Sequence, residues 1–131
     1  MVKRTESKGF DEFVGKVVNV ILEEPTEKRE TPAYHIEIEV LDKEIKGKTG
    51  LMHDWIGVPK TSKKDSVPQG SVIDAYIRAL ERLESTLKTK ENVEEIFVWM
   101  KGKKFRFNKE KLGKSFGKHD AMDYWVPVAL A

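Results

Sequence analysis

The chain has 131 residues, of which 39% are hydrophobic and 35% charged, and this size and apolar fraction suit one domain around one core. No apolar run approaches the ~18 residues of a membrane span, and the first ten residues lack the apolar segment of a secretory signal. The chain has no cysteine, which excludes disulfides and thiolate metal sites and predicts a cytoplasmic location.

Charge is unevenly distributed along the chain. The net charge is only +2, but residues 101–119 hold eight basic residues against Glu110 alone, a net of +7. Concentrated positive charge attracts polyanions even when the total charge is near zero. Three Asn and one Gln beside many Lys and Glu are typical of heat-adapted proteins, and this composition indicates a thermophile source.

The N-terminal segment divides into an arm and a strand. Residues 1–12 are polar and predict a flexible arm before a single domain of residues 13–131. Residues 13–22 are rich in Val and Ile and predict a largely buried strand, in which Gly15 indicates a bulge or a close backbone approach.

Alternating patterns predict the next two strands. Residues 33–41 alternate between apolar and polar, which indicates a half-buried second strand with Glu37 and Glu39 on its outward side. Residues 51–58 predict a third strand, and the same alternation places Trp55 outward.

Apolar residues at helical spacing follow. They predict a helix over 72–88, with Ser71 as its N-cap. A second, shorter helix is predicted over 93–101, with Asn92 as its cap. Residues 95–100 also suit a strand, because four of the five residues in IFVWM are good strand formers, and this alternative stays open.

Two strands and a basic loop complete the chain. Residues 103–107 and 124–130 predict strands, and residues 108–123 between them predict a long basic loop. Alternation in the last strand places Trp125 outward, while Pro127 indicates an edge position or a bulge.

The predicted fold class is mainly β with one or two helices, in the order β-β-β-α-(α)-β-β. This order resembles the OB-fold, a small five-stranded barrel, over roughly residues 13–130. The run GSVIDAYIRALERL, a short helix ending in KGKKFRF, and YWVPVAL are also similar to small archaeal and phage proteins suspected of binding single-stranded DNA. The resemblance implies binding across the second and third strands, flanked by residues 23–32 and 108–123.

Basic residues beside outward aromatic rings predict a non-catalytic binder of single-stranded nucleic acid, with DNA favoured over RNA. Cations neutralise phosphates, and exposed rings stack on bases. Because Glu37 and Glu39 would repel phosphate, we expect the site to lie towards the C-terminal half. The predicted binding residues are Trp55, Lys101, Lys103, Lys104, Arg106, Lys109, Lys111, Lys114, Phe116, Lys118 and Trp125.

Other functions have weaker support in the sequence. The outward rings also suit a protein-interaction or assembly module, including a homodimer, in which the basic loop only solubilises. The three histidines lie scattered, without the spacing of a metal motif, so no metal or other cofactor is predicted, and His35 and His53 are expected to form surface hydrogen bonds. Glu44 and Lys46 have a spacing found in nucleases but lie in a turn, and the serines lack a nucleophile pattern, so no enzyme is predicted.

Overall fold

The computed structural model describes residues 11–27, 30–42, 51–58, 63–112 and 122–131 of the chain. Five strands form one antiparallel sheet in the order β3-β2-β1-β4-β5. The strands are β1 (Glu12–Glu23), β2 (Ala33–Val40), β3 (Leu51–Gly57), β4 (Lys104–Leu112) and β5 (Met122–Leu130). The mainly β prediction is therefore confirmed.

Two α-helices connect β3 to β4, namely α1 (Val72–Leu83) and α2 (Val93–Met100). Residues 95–100 are thus helical, which settles the alternative that the sequence left open. Neither helix in the described part of the chain has the length and apolar character needed to cross a membrane. The Ser71 hydroxyl accepts a hydrogen bond from the Asp74 amide and so caps α1, whereas Asn92 makes no side-chain cap bond to α2.

Two element boundaries differ from the predictions by five residues. The first helix ends at Leu83 rather than residue 88, because Glu84 is extended and a 3-10 helix follows over Ser85–Thr89. Leu87 on that 3-10 helix is still buried, which explains why the helical apolar pattern continued past the real end. Strand β4 runs on to Leu112, so the first part of the predicted basic loop is strand.

Strand β1 begins one residue before its predicted start. Glu12 pairs with Asn108 of β4, and the Lys109 amide donates to the Asp11 carbonyl at 2.8 Å. The rest of the predicted N-terminal arm lies outside the described residues.

Bulges interrupt two of the ladders and reset which side chains face the core. Val18 in β1 is unmatched between the pairs of Val17 and Asn19, and Val128 in β5 is unmatched between Pro127 and Ala129. A single extra residue inverts the alternation beyond it. The bulge that Pro127 indicated is therefore present, and it makes the outward prediction for the neighbouring tryptophan wrong.

Trp125 points into the core and keeps only 9% of its surface exposed. It lies opposite Lys109, on the face that carries Phe107, and packs edge-on against Phe13 with ring centroids 4.8 Å apart. The bulge at Val128 reverses which residues of β5 face the core. The alternation of Val128 and Leu130 therefore does not predict the direction of Trp125.

The core lies between the inner face of the sheet and the two helices. Gly15 shows the close approach that its position in a strand indicated: a Cβ there would lie 2.6 Å from Ile38 Cγ2 and 2.7 Å from Phe13 Cε2. The fully buried large side chains include Phe13, Ile36, Ile38, Ile56, Tyr76, Leu80, Leu87, Ile96, Phe97, Met100, Phe105 and Phe107.

Side chains, rather than a backbone ladder, connect the two edge strands in the described residues. Trp125 N–H of β5 donates to Oδ2 of the buried Asp54 of β3 at 2.6 Å. The Trp125 carbonyl accepts from the Tyr76 hydroxyl of α1 at 3.2 Å. One residue of β5 is thereby joined to both β3 and α1, although no ladder there closes the sheet into a barrel.

Candidate nucleic-acid interface and histidine cluster

The outer face of the sheet is defined here by the side chains of β1–β4 that point away from the core. Register sets its composition: Trp55, His35 and Ile21 lie opposite one another across β3, β2 and β1. Two residues along, His53 and Glu37 form the next row. The aromatic and imidazole rings of two strands are thereby brought together at one end of this face.

The other half of the outer face carries three cations, among them Lys16, which lies opposite Glu39. Lys16 of β1 lies opposite Lys104 of β4, and Arg106 lies opposite Val14. Lys104 and Arg106 are exposed, and neither has an ion-pair partner among the described residues. These three cations form the basic patch, which has the charge needed to contact phosphates.

The other predicted cations on β4 do not share this face. Lys109 Nζ lies 5.4 Å from the Trp125 ring centroid and 3.7 Å from an Asp11 carboxylate oxygen. Lys111 Nζ pairs with Asp123 at 3.2 Å. Since successive strand residues alternate in direction, Lys109 and Lys111 share the side of Phe107, opposite Lys104.

The remaining predicted site residues lie elsewhere. Lys101 is exposed at the C-terminal end of α2, and Lys103 Nζ lies 4.9 Å from the Trp99 ring centroid. Lys114, Phe116 and Lys118 fall outside the described residues. Of the eleven predicted residues, the outer face therefore brings together Trp55, Lys104 and Arg106, and it adds Lys16, which the sequence analysis did not select.

Trp55 is outward, as predicted, and 44% exposed. Its indole stacks on the imidazole of His35, with centroids 4.4 Å apart and planes 16° from parallel. Its Nε1 donates to Glu23 Oε1 at 3.1 Å. Contacts on one ring face and one edge hold the indole in position and leave part of its surface open to a stacked base.

A hydrogen-bonded histidine pair lies beside this indole. His35 Nδ1 is 2.8 Å from Glu23 Oε2, and His35 Nε2 is 2.8 Å from His53 Nδ1. An ionised carboxylate only accepts, so His35 Nδ1 carries a proton, and in the neutral imidazole its Nε2 then accepts from His53 Nδ1–H. The prediction that these two histidines form surface hydrogen bonds is confirmed.

Carboxylates surround the pair. Glu37 Oε2 lies 3.8 Å from His53 Nδ1, and one atom from each of His35, Glu37 and His53 falls within a group 4.8 Å across. We call these three residues with Glu23 the histidine cluster. Sequence spacing did not reveal it, because His53 joins the group only through the β2–β3 register. The alternation that put His35 and Glu37 on one face of β2 was its only signal.

Burial raises the pKa of the Asp54 carboxyl from 3.8 to about 7, against the opposing effect of the hydrogen bond from Trp125 N–H. Burial also raises the pKa of Tyr124, and the nearby Asp54 charge adds to that rise. Asp54 lies on the core side of β3, opposite in direction to Trp55, so it acts on the packing of β5 rather than on the outer face.

Comparisons of this chain with protein-family models, with curated proteins and with solved structures found no match. Two features of the outer face bear on the function of the protein. One is the exposed indole beside the histidine cluster, and the other is the basic patch across β1 and β4.

Proposed function

We propose that this protein binds single-stranded nucleic acid, with DNA favoured, across the outer face and without catalysis. The observation that carries the proposal is the 44% exposed, braced indole of Trp55 on the face that also presents Lys104 and Arg106. Stacking on such a ring contributes ~1–3 kcal/mol per base, and cations along the strand neutralise its phosphates. In this proposal the three cations of the basic patch, rather than all the basic residues after residue 100, neutralise the phosphates.

We further propose that the sheet is of OB type. Its strand order β3-β2-β1-β4-β5 would place β3 beside β5 on closure, and the Asp54 bond to Trp125 N–H already joins those strands. The position of α1 between β3 and β4, and its bond from Tyr76 to β5, also suit that fold. Ligands of OB folds cross the strand 2–3 face, which here carries Trp55 and His35.

Charge determines how a strand would lie on this face. Glu23 at the end of β1, and Glu37 and Glu39 on β2, would repel phosphates, so the nucleic-acid backbone follows the basic patch and a base reaches towards Trp55. Lys16 and Trp55 are two strands and four residues apart, about 16 Å at ordinary sheet spacings. The bound segment must therefore span several nucleotides, within the ~4–16 of single OB folds.

Intrinsic fluorescence tests the proposal. A thymine oligonucleotide of about 20 nucleotides, longer than such a site, should quench the emission of the wild-type protein. Trp55→Phe should abolish most of the quenching and weaken binding by roughly tenfold, because a smaller ring replaces the indole and the Glu23 bond is lost.

The matched control is Trp99→Phe, which removes one indole from α2, away from the outer face. This variant should keep both the quenching and the affinity. Equal quenching in Trp55→Phe and wild type, or loss of quenching only in Trp99→Phe, would remove Trp55 from the interface.

A protein-assembly role is the second candidate, and exposed apolar residues on β1 favour it. Val18, Ile21 and Leu22 are 37%, 39% and 44% exposed, and Ile21 lies beside His35 on the outer face. A second copy of the chain would cover them. Light scattering across a range of protein concentrations should then show a dimer that Ile21→Lys dissociates, with no response to oligonucleotide.

A further inference from the structure

We propose that the histidine cluster binds one divalent transition-metal ion, through His35 Nε2, His53 Nδ1 and Glu37 Oε2. These residues belong to adjacent strands, and one ligand atom from each falls within a group 4.8 Å across. Two imidazoles and one carboxylate form a ligand set that Zn²⁺ and neighbouring transition metals use. The inference does not depend on nucleic-acid binding.

The distances between the ligand atoms suit such an ion after small side-chain rotations. Zn²⁺ ligands lie at about 2.0–2.2 Å, so tetrahedral neighbours are about 3.3 Å from one another. The two ring nitrogens are 2.8 Å apart, and His53 Nδ1 is 3.8 Å from Glu37 Oε2. The first separation must widen and the second narrow by about half an ångström, which rotation of the exposed His53 side chain allows.

Glu23 provides a second, independent indication. Metal-bound histidines almost always donate their other ring N–H to a carboxylate or carbonyl, which fixes the ring and its tautomer. His35 Nδ1 makes that bond to Glu23 Oε2 at 2.8 Å, which leaves its Nε2 unprotonated and able to bind the proposed ion. Trp55 Nε1 in turn bonds the other oxygen of Glu23, and Glu23 is therefore a positioning residue.

Proton positions balance without any further reactant. Without metal, His53 Nδ1–H donates to His35 Nε2. When the ion binds, that proton leaves Nδ1 and a solvent proton is taken up at His53 Nε2, so the imidazole remains neutral and presents a lone pair. The hydrogen bond between the histidines is replaced by two metal–nitrogen bonds.

Three protein ligands leave at least one coordination position for water or an anionic oxygen. The site lies on the outer face, where His53 keeps about a third of its side-chain surface exposed, so the fourth ligand comes from solvent. The ion would also counter the charge of Glu23 and Glu37.

Calorimetric titration of the untagged protein with Zn²⁺ alone tests the proposal. We expect one ion per chain, and visible absorption bands of a bound ion when Co²⁺ replaces Zn²⁺. His53→Ala should weaken binding at least about tenfold, and Glu23→Gln by roughly tenfold because it loosens the hold on His35. His53 is exposed, and an unchanged thermal midpoint of its variant would confirm that it folds.

His119→Ala is the matched control, since it removes the third histidine of the chain and none of the four residues of the cluster. It should bind Zn²⁺ as the wild type does. Absence of a one-to-one Zn²⁺ complex in the wild type, unchanged affinity in His53→Ala, or loss of binding only in His119→Ala would each overturn the proposal. Because no oligonucleotide is present, these outcomes are separate from those for the proposed function.

Discussion

Asp54 shows how one polar residue controls the packing of an edge strand. It is only 9% exposed, and its Oδ2 accepts a hydrogen bond from the backbone N–H of Trp125. A side chain of β3 thereby holds β5. A carboxyl group in such a place is more stable in its protonated form, because burial penalises the charged carboxylate.

The contribution of Asp54 to the stability of the protein should therefore fall as pH rises from about 4 to about 7. The folded pKa of Asp54, about 7, exceeds its ordinary value of 3.8, so between those values the native state binds the extra proton. The contribution is fully present below pH 4 and is lost through pH 7, a change of roughly 4 kcal/mol at 1.36 kcal/mol per pH unit.

Asp54→Asn should remove this dependence, because an amide oxygen still accepts from Trp125 N–H and carries no charge. Urea unfolding at pH 4.5 and pH 7.5 measures it. The variant should exceed the wild type in free energy of unfolding at the higher pH. Parallel losses in both proteins over this interval would contradict the role given to Asp54.

Gly15→Ala should destabilise the protein by about 1–3 kcal/mol through overpacking. The new Cβ would meet Ile38 Cγ2 at 2.6 Å and the Glu39 carbonyl oxygen at 3.0 Å. Gly57→Ala is the matched control in β3, because its Cβ would find only Thr31 Oγ1, at 3.9 Å. Chemical denaturation of both variants measures the difference in stability. Similar midpoints would contradict the prediction and would mean that the β1–β2 contact accommodates a methyl group.

At the scale of elements, propensity and spacing predicted the helices and strands better than alternation predicted which side chains face the core. Propensity and spacing act over a few residues. They account for the cap at Ser71, for the strands with alternating residues and for the helix α2. The facing of Trp125 and the assembly of the histidine cluster depend on a bulge at Val128 and on the β2–β3 register. The bulge and the register are both set by pairing between strands that are distant in sequence, and the sequence of a single strand does not specify that pairing.

Helix caps provide a test of that local chemistry. Ser71→Ala should cost about 1 kcal/mol of unfolding free energy, since the Ser71 hydroxyl accepts from the Asp74 amide. Asn92→Ala should cost far less, because Asn92 makes no cap bond to α2. Thermal unfolding of the two variants compares them, and an equal or larger loss for Asn92→Ala would show that the caps are assigned wrongly.

Across the whole molecule, charge divides the outer face into the acidic histidine cluster and the basic patch. This division makes a net charge of +2 compatible with the phosphate-binding surface that we propose. In the proposed interface only some of the basic residues after residue 100 take part, since Lys109 contacts the Trp125 ring and Lys111 pairs with Asp123.

The metal and nucleic-acid proposals together predict a coupling. Zn²⁺ at the histidine cluster would add positive charge beside the phosphate path, and it should increase the affinity for a thymine oligonucleotide. Fluorescence titrations with and without Zn²⁺ measure the coupling. His53→Ala should show none, and an equal Zn²⁺ effect in that variant would place the ion elsewhere.

The salt dependence of oligonucleotide binding tests the basic patch most directly. Each phosphate contact on a single strand contributes about −0.7 to the slope of log affinity against log salt. The double variant Lys104→Ala/Arg106→Ala should flatten this slope by about 1.4, whereas Lys88→Ala/Lys90→Ala, an equal charge change away from the outer face, should leave it unchanged. Equal slopes in the first variant and the wild type would contradict the proposed interface.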